Sequence, residues 1–171
     1  SEEFPHRPVL QLLTGHFHET SGYRAYRPRG SDDWLLIHTI GGTGRFGHPD
    51  GELLARPGDW VLLRPGTLHD YAVAASDTRW ELLWAHFQPR PDWLAWPERD
   101  RKRLTEFLSK NEQPHYQASR EVAQDFEQIA AVVATNDIDG GEIRLRLTIS
   151  TMLMHFMQQI EAQGPALDQA L

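Results

Sequence analysis

The chain has 171 residues, 40% of them apolar and 24% charged, which is the make-up of one globular domain long enough to bury a core. It carries no cysteine, which excludes a disulfide framework and a thiolate zinc site, and its formal charge of −7 argues against the chain by itself gripping a phosphate backbone. No apolar run approaches a membrane span and the start lacks a basic-then-apolar signal segment, so a cytoplasmic protein is expected.

From about Val9 to Phe87, Gly and Pro recur between brief apolar runs, the pattern of an all-β region. Strands are expected at Val9–Phe17, Tyr23–Arg27, Trp34–Ile40, Gly44–Gly47, Glu52–Ala55, Trp60–Leu63, His69–Ala74 and Arg79–Phe87. Pro49-Asp50-Gly51 reads as the hairpin tip between the fourth and fifth. Arg56-Pro57-Gly58-Asp59 and Arg64-Pro65-Gly66 are tight turns on either side of the apolar run at Trp60–Leu63. His69 and Tyr71 then open the next strand. Turn, strand, turn and polar side chains in that order are how a small barrel places ligand-facing groups at its mouth.

After Gln88-Pro89-Arg90-Pro91 the grammar becomes helical. Asp92 is the expected N-cap of a segment through Trp93 and Trp96, interrupted near Pro97 and resuming to about Leu108. Its basic cluster, Arg99 to Arg103, reads as a solvated helix face. Ser119 precedes Val122, Phe126, Ile129 and Val133, spaced by three and four as one buried stripe, and Asn136 to Gly141 ends that helix. Glu142 opens a long helix to about Ala162, with Ile143, Leu147, Ile149, Leu153, Phe156, Met157 and Ile160 on more than one face. A helix apolar on two sides needs two partners. The barrel is one; the other is a second copy of the chain or the rest of its own fold.

The stretch Gly58 to Gly66 followed by His69 resembles the second sequence motif of the cupin superfamily. A metal centre needs three or four converging ligands, and cupin enzymes supply most of them from an earlier motif with two His one residue apart and a downstream Glu. The corresponding stretch here, Leu36 to Gly44, holds only His38. His16 and His18 share a face of the first strand, with no carboxylate evidently matched to them. His69 is therefore expected as a barrel-lining hydrogen-bonding group, with no metal and no cofactor. Nucleophilic catalysis has no signal either: there is no Gly-x-Ser-x-Gly turn and no Gly-rich loop to cradle phosphate.

The pattern that remains suits binding. Trp80, Leu82, Trp84 and His86 project to one face of the last strand, and Leu83, Ala85 and Phe87 to the other. Two indoles on one face offer a flat platform for the C–H face of a sugar, whose hydroxyls Arg27 and Tyr71 would meet. Plain core packing of Trp80 and Trp84 is the competing reading.

Arg27-Pro-Arg-Gly30, Arg56-Pro-Gly-Asp59, Pro65-Gly-Thr-Leu-His-Asp-Tyr71, Trp80-Glu-Leu-Leu-Trp84 and Phe87-Gln-Pro-Arg90 follow in one order at close spacing. As a set, from about Leu13 to Ala162 and including Trp93-Leu-Ala-Trp-Pro97, they resemble the effector-binding and dimerisation domain of AraC-family transcription regulators, in the arabinose-responsive branch. The resemblance implies an α+β fold: a cupin-like antiparallel β-barrel (jelly-roll) without metal, followed by C-terminal helices. Arg27, Tyr71 and Trp84 fall on sugar-contacting positions of that branch. Leu82 stands where it has a pocket His, and Phe17 (or His16) where it has a Thr. A hydroxyl left unpaired by such losses costs about 1–3 kcal/mol.

The same resemblance divides the chain into an arm over 1–8, a barrel over 9–90, a helical dimerisation region over 91–162 and the start of a linker over 163–171. In the arm, Phe4, Pro5 and Pro8 would form an apolar lid over the sugar. The last helix would pair with its copy near Arg146, Ser150, Leu153 and Met157. DNA would be met only through a C-terminal domain outside this chain, and no membrane is involved. The expected function is thus a sugar-sensing, dimerising module of a transcription activator, not an enzyme. A metal-dependent cupin enzyme, such as a sugar isomerase or dioxygenase, is the alternative. A third is a module that fills its own pocket and only dimerises.

Overall fold

A computed structural model describes residues 12–88, 96–110, 113–135 and 140–170, which fall into two compact units. The barrel unit contains β1 (Leu12–Thr20), β2 (Arg24–Arg27), β3 (Trp34–Gly42), β4 (Gly44–His48), β5 (Gly51–Ala55), β6 (Asp59–Leu63), β7 (His69–Val73), β8 (Arg79–Phe87) and β9 (His115–Gln117). All pairings are antiparallel, in one sheet of order β1-β8-β3-β6-β9 and another of order β2-β7-β4-β5. The eight strands read from turn residues and alternation are all present. The expected arm and the start of the first strand at Val9 lie outside the described residues.

Alternation decides what faces the interior. Leu35, Ile37, Phe46, Ala55, Val61, Tyr71, Trp80, Leu82 and Trp84 form one buried cluster between the sheets. The turns that return the chain are where glycine is needed: Gly58 and Gly66 sit at φ 93° and 74°, a region closed to most side chains. Asp59 locks the first of these turns, because its Oδ2 accepts the Arg56 N–H at 3.0 Å while its own N–H donates to the Arg56 carbonyl at 2.8 Å.

Strand β9 was not expected. Residues 113–117 belong to the barrel unit rather than to a continuous helical region over 91–162. Tyr116 stacks on Trp60 with ring centroids 4.8 Å apart, and His115 Nε2 donates to Asp59 Oδ2 at 3.0 Å. An aromatic stack and a charge-assisted bond thus hold three residues that carry no alternation of their own.

The helical unit contains α1 (Glu98–Lys110), α2 (Arg120–Thr135) and α3 (Gly140–Ala170). Helix α1 begins directly after Pro97, whose carbonyl accepts the Asp100 and Arg101 N–H groups; the N-cap expected at Asp92 lies outside the described residues. Ser119 caps α2, its Oγ accepting the Val122 N–H at 3.2 Å. The buried stripe of α2 runs through Val122, Phe126, Ile129 and Val132, with Val133 only half-buried. The backbone of helix α3 continues through Gly164-Pro165 to Ala170, past the helix end expected near Ala162. A proline forfeits its own N–H bond but leaves the bonds of neighbouring turns to carry the helix past it. Among the described residues, no helix is long and apolar enough to cross a membrane.

Candidate functional site

The barrel encloses a cavity of about 10 Å³ lined by Phe17, Tyr23, Leu35, Ile37, Tyr71, Leu82, Trp84 and His86. That is room for about one water, so a larger guest requires a lining side chain to move. Trp84 is the largest wall. Its ring centroid lies 5.4 Å from that of Phe17 and 5.8 Å from that of His86. Gly15, on the neighbouring strand, leaves the space the indole occupies: a Cβ there would fall 2.4 Å from Cζ2 of Trp84.

The two tryptophans of β8 have separate roles. Trp80 is fully buried, donates from Nε1 to Thr39 Oγ1 at 3.0 Å and meets Phe46 edge-on at 5.6 Å. It is a core residue with its polar atom satisfied. Trp84 lines the cavity.

Arg27 and His69 form a cross-strand pair between β2 and β7 and do not line the cavity. His69 is fully buried, with neither ring nitrogen hydrogen-bonded among the described residues. Its pKa is pushed down to about 4 by burial, with the charge of Arg27 adding to the shift. His86, 3% exposed, is likewise pushed to about 4 by burial, then by His69 and Arg27. These groups therefore share one electrostatic neighbourhood, in which both imidazoles are neutral at pH 7. Gly30 closes over it: at φ 61° it packs on the Thr67 carbonyl so tightly that a Cβ would fall 2.0 Å away.

Of the ligand positions read from the sequence, Phe17, Tyr71, Leu82 and Trp84 converge on one cavity, with Arg27 and His69 beside it. Tyr23, Leu35 and Ile37 join the lining without having been picked out, and His86 joins it without having been named as a ligand position. His86 was legible by alternation, two residues beyond Trp84. His38 stands apart. Leu35 and Ile37 face the interior cluster, so pleating turns His38 to the opposite face of β3, where Nδ1 donates to the Asp59 carbonyl at 3.1 Å. It cannot complete a metal set with His69 and His86.

On α3, Ser150, Leu153 and Met157 are buried within the single chain and Arg146 is half-buried. Among the described side chains of this helix, Ile143 (63%), Leu147 (59%) and Met154 (41%) are exposed apolar groups, against 0% for Leu153. A hollow of about 330 Å³, lined by Trp96, Pro97, Asp100, Arg103, Met154, Met157 and Gln158, adjoins that stripe.

A two-sheet antiparallel barrel of cupin-like form, enclosing a small aromatic-walled cavity and followed by helices, defines a ligand-binding domain. The chain matches the AraC-like ligand binding domain over residues 13–160, and it belongs to that family. It is 34% identical over 85 residues to the arabinose operon regulatory protein of Salmonella typhimurium, a match covering 46% of this chain and 30% of that protein. The Escherichia coli protein of the same name is 35% identical over 85 residues, covering 46% of this chain and 29% of that protein. The chain thus spans less than a third of either relative. Among solved structures, unsaturated-fatty-acid-bound ToxT from Vibrio cholerae superposes with a TM-score of 0.56 at 11% identity, over 94% of this chain and 57% of that one. An apo ToxT variant gives 0.59 at 12% identity, over 90% and 56%. These show a shared fold.

Proposed function

We propose that this domain senses a small sugar of arabinose-like size in its barrel, without metal, and reports it to the DNA-binding part of a cytoplasmic transcription regulator. The observation that carries the reading is the convergence of Trp84, Tyr71 and Phe17 on one cavity, with Arg27 beside it. Stacking on Trp84 would supply the apolar contact, and the Tyr71 hydroxyl and Arg27 guanidinium would meet ligand oxygens. Because the cavity is nearly closed, binding requires the indole to shift and the wall to re-form around the guest. Leu82 offers no hydrogen bond, so the favoured sugar lacks, or displaces, the hydroxyl that would point there.

The test is a tryptophan-fluorescence and calorimetric titration with L-arabinose, D-fucose, D-xylose and D-galactose. A saturable response lost in Trp84→Ala and Arg27→Ala supports the reading; no response to any of them removes neutral sugars. A second reading rests on the cluster of Arg27, His69 and His86, in which the positive charge of Arg27 acts on both buried imidazoles. A ligand carrying a carboxylate, such as a sugar acid, would complement it. Sugar acids in the same panel separate the two. The metal-dependent enzyme reading has less support, because His38 faces away from the interior imidazoles.

Dimerisation belongs to the same proposal, through the exposed stripe of Ile143, Leu147 and Met154 on α3. Those residues recur at spacings of four and seven, the spacing of a helix–helix seam.

A further inference from the structure

The antiparallel register of β1 and β8 brings three metal-ligating side chains together on the outer face of the barrel wall. His16 and His18 lie two residues apart on one face of β1, and Glu81 is the direct cross-strand partner of His18. Both imidazoles aim Nε2 at the same carboxylate oxygen: His16 Nε2 is 2.9 Å and His18 Nε2 3.8 Å from Glu81 Oε1. The two rings are 4.7 Å apart between centroids, and the three ligand atoms all lie within 4.8 Å of one another.

We propose that His16, His18 and Glu81 form a surface site for a divalent transition cation of the zinc class, separate from the ligand pocket. Ligand atoms about 2.1 Å from a tetrahedral ion sit roughly 3.4 Å from one another, and the two measured separations bracket that figure. Small side-chain rotations therefore suffice, with no backbone change. Two imidazoles and one carboxylate are a borderline donor set that suits zinc, cobalt, nickel or copper better than magnesium or calcium. His18 is 70% exposed in its side chain, which gives the ion access and leaves its remaining position to water.

The site differs from a cupin centre in place and in composition. Its ligands occupy the outward register of β1 and β8, whereas Phe17, Leu82 and Trp84, interleaved with them, face the cavity. One ion would bridge β1 to β8, its neighbour in the sheet, and so fasten the wall that carries Gly15 and Phe17. The inference stands on these three residues alone and does not depend on which effector the pocket takes.

The experiment uses the 171-residue chain without an affinity tag, stripped with chelator and dialysed, then titrated with zinc against a chromophoric competitor and with cobalt by visible absorption. One saturating equivalent is expected, with a rise in thermal midpoint on loading. His18→Ala and Glu81→Gln should each weaken zinc at least tenfold and abolish the thermal shift. His18 is exposed and Gln matches Glu in size, so both variants should keep the wild-type circular dichroism spectrum, which is to be recorded for each. His48→Ala and His115→Gln, at two other histidines paired with carboxylates in this unit, should bind as wild type. Absence of a saturable equivalent, equal affinity in His18→Ala and Glu81→Gln, or loss of binding in His48→Ala or His115→Gln would overturn the proposal.

Discussion

Gly15 and Trp84 are cross-strand partners in direct register, and the indole of Trp84 lies where a side chain on Gly15 would be, 2.4 Å from the hypothetical Cβ. The glycine is not there for an unusual backbone angle, since its φ is not among the positive ones. It makes room. Gly15→Ala should therefore push Trp84 into the cavity, costing about 1–3 kcal/mol of stability by overpacking and weakening any pocket ligand at least tenfold. Unchanged affinity beside a lowered urea midpoint would mean that Trp84 does not shape the binding surface.

Trp80 and Trp84 should respond differently to the same substitution. Trp80→Phe removes a fully buried indole and strands the Thr39 hydroxyl, an expected loss of about 3 kcal/mol. Trp84→Phe keeps an aromatic wall beside a cavity that already tolerates a void, and should cost less than about 1.5 kcal/mol. Chemical denaturation of the two variants decides which tryptophan is core. A larger loss for Trp84 would reverse the assignment.

Acid should weaken the fold in a defined window. The imidazoles of His38, His69 and His86 are each held to about 4 from an ordinary 6.5, chiefly by burial. As pH falls below 6.5 the unfolded chain takes up these protons first, so the stability they contribute is full above 6.5 and is lost progressively down to about pH 4. One such group accounts for roughly 3 kcal/mol at the lower end. Asp70, held low by its hydrogen bonds to Arg45, loses its share only below 3.8. Asp125, pushed up by burial against the pull of His155, acts in the opposite direction. Urea unfolding from pH 8 to pH 4 should show the decline, and His38→Gln should flatten it. A flat profile across that range would show the imidazoles to be charged in the folded protein.

The strands of the barrel were legible because glycine and proline punctuate them and because inward residues alternate. Alternation put Leu82 and Trp84 on one face of β8, while Phe17 and Tyr71 were singled out by the family resemblance; all four line one cavity. Strand β9 was not legible, since three residues carry no period and are held by Asp59 and Trp60, more than fifty positions earlier. The His16–His18–Glu81 group was half legible. The histidine pair shows in the sequence, but its carboxylate arrives only through a strand pairing 65 residues distant. On α3 the period located two apolar faces without saying which one the chain covers by itself. One position decides it: Leu153 is inside and Met154 outside.

That distinction yields the sharpest test of self-association. If α3 pairs with its copy through its exposed stripe, Leu147→Asp together with Met154→Lys removes two apolar knobs and places charge in the seam. Sedimentation equilibrium should then move from dimer to monomer with the circular dichroism spectrum and urea midpoint close to wild type, because both side chains are exposed in the single chain. Leu153→Ala should do the reverse. It opens a cavity inside the protomer at a cost of about 2–5 kcal/mol, lowering the urea midpoint of a chain whose exposed stripe is intact. A wild-type chain that sediments as a monomer at high concentration, or a double variant that remains dimeric, would remove α3 as the seam and direct attention to the hollow beside Trp96 and Met157.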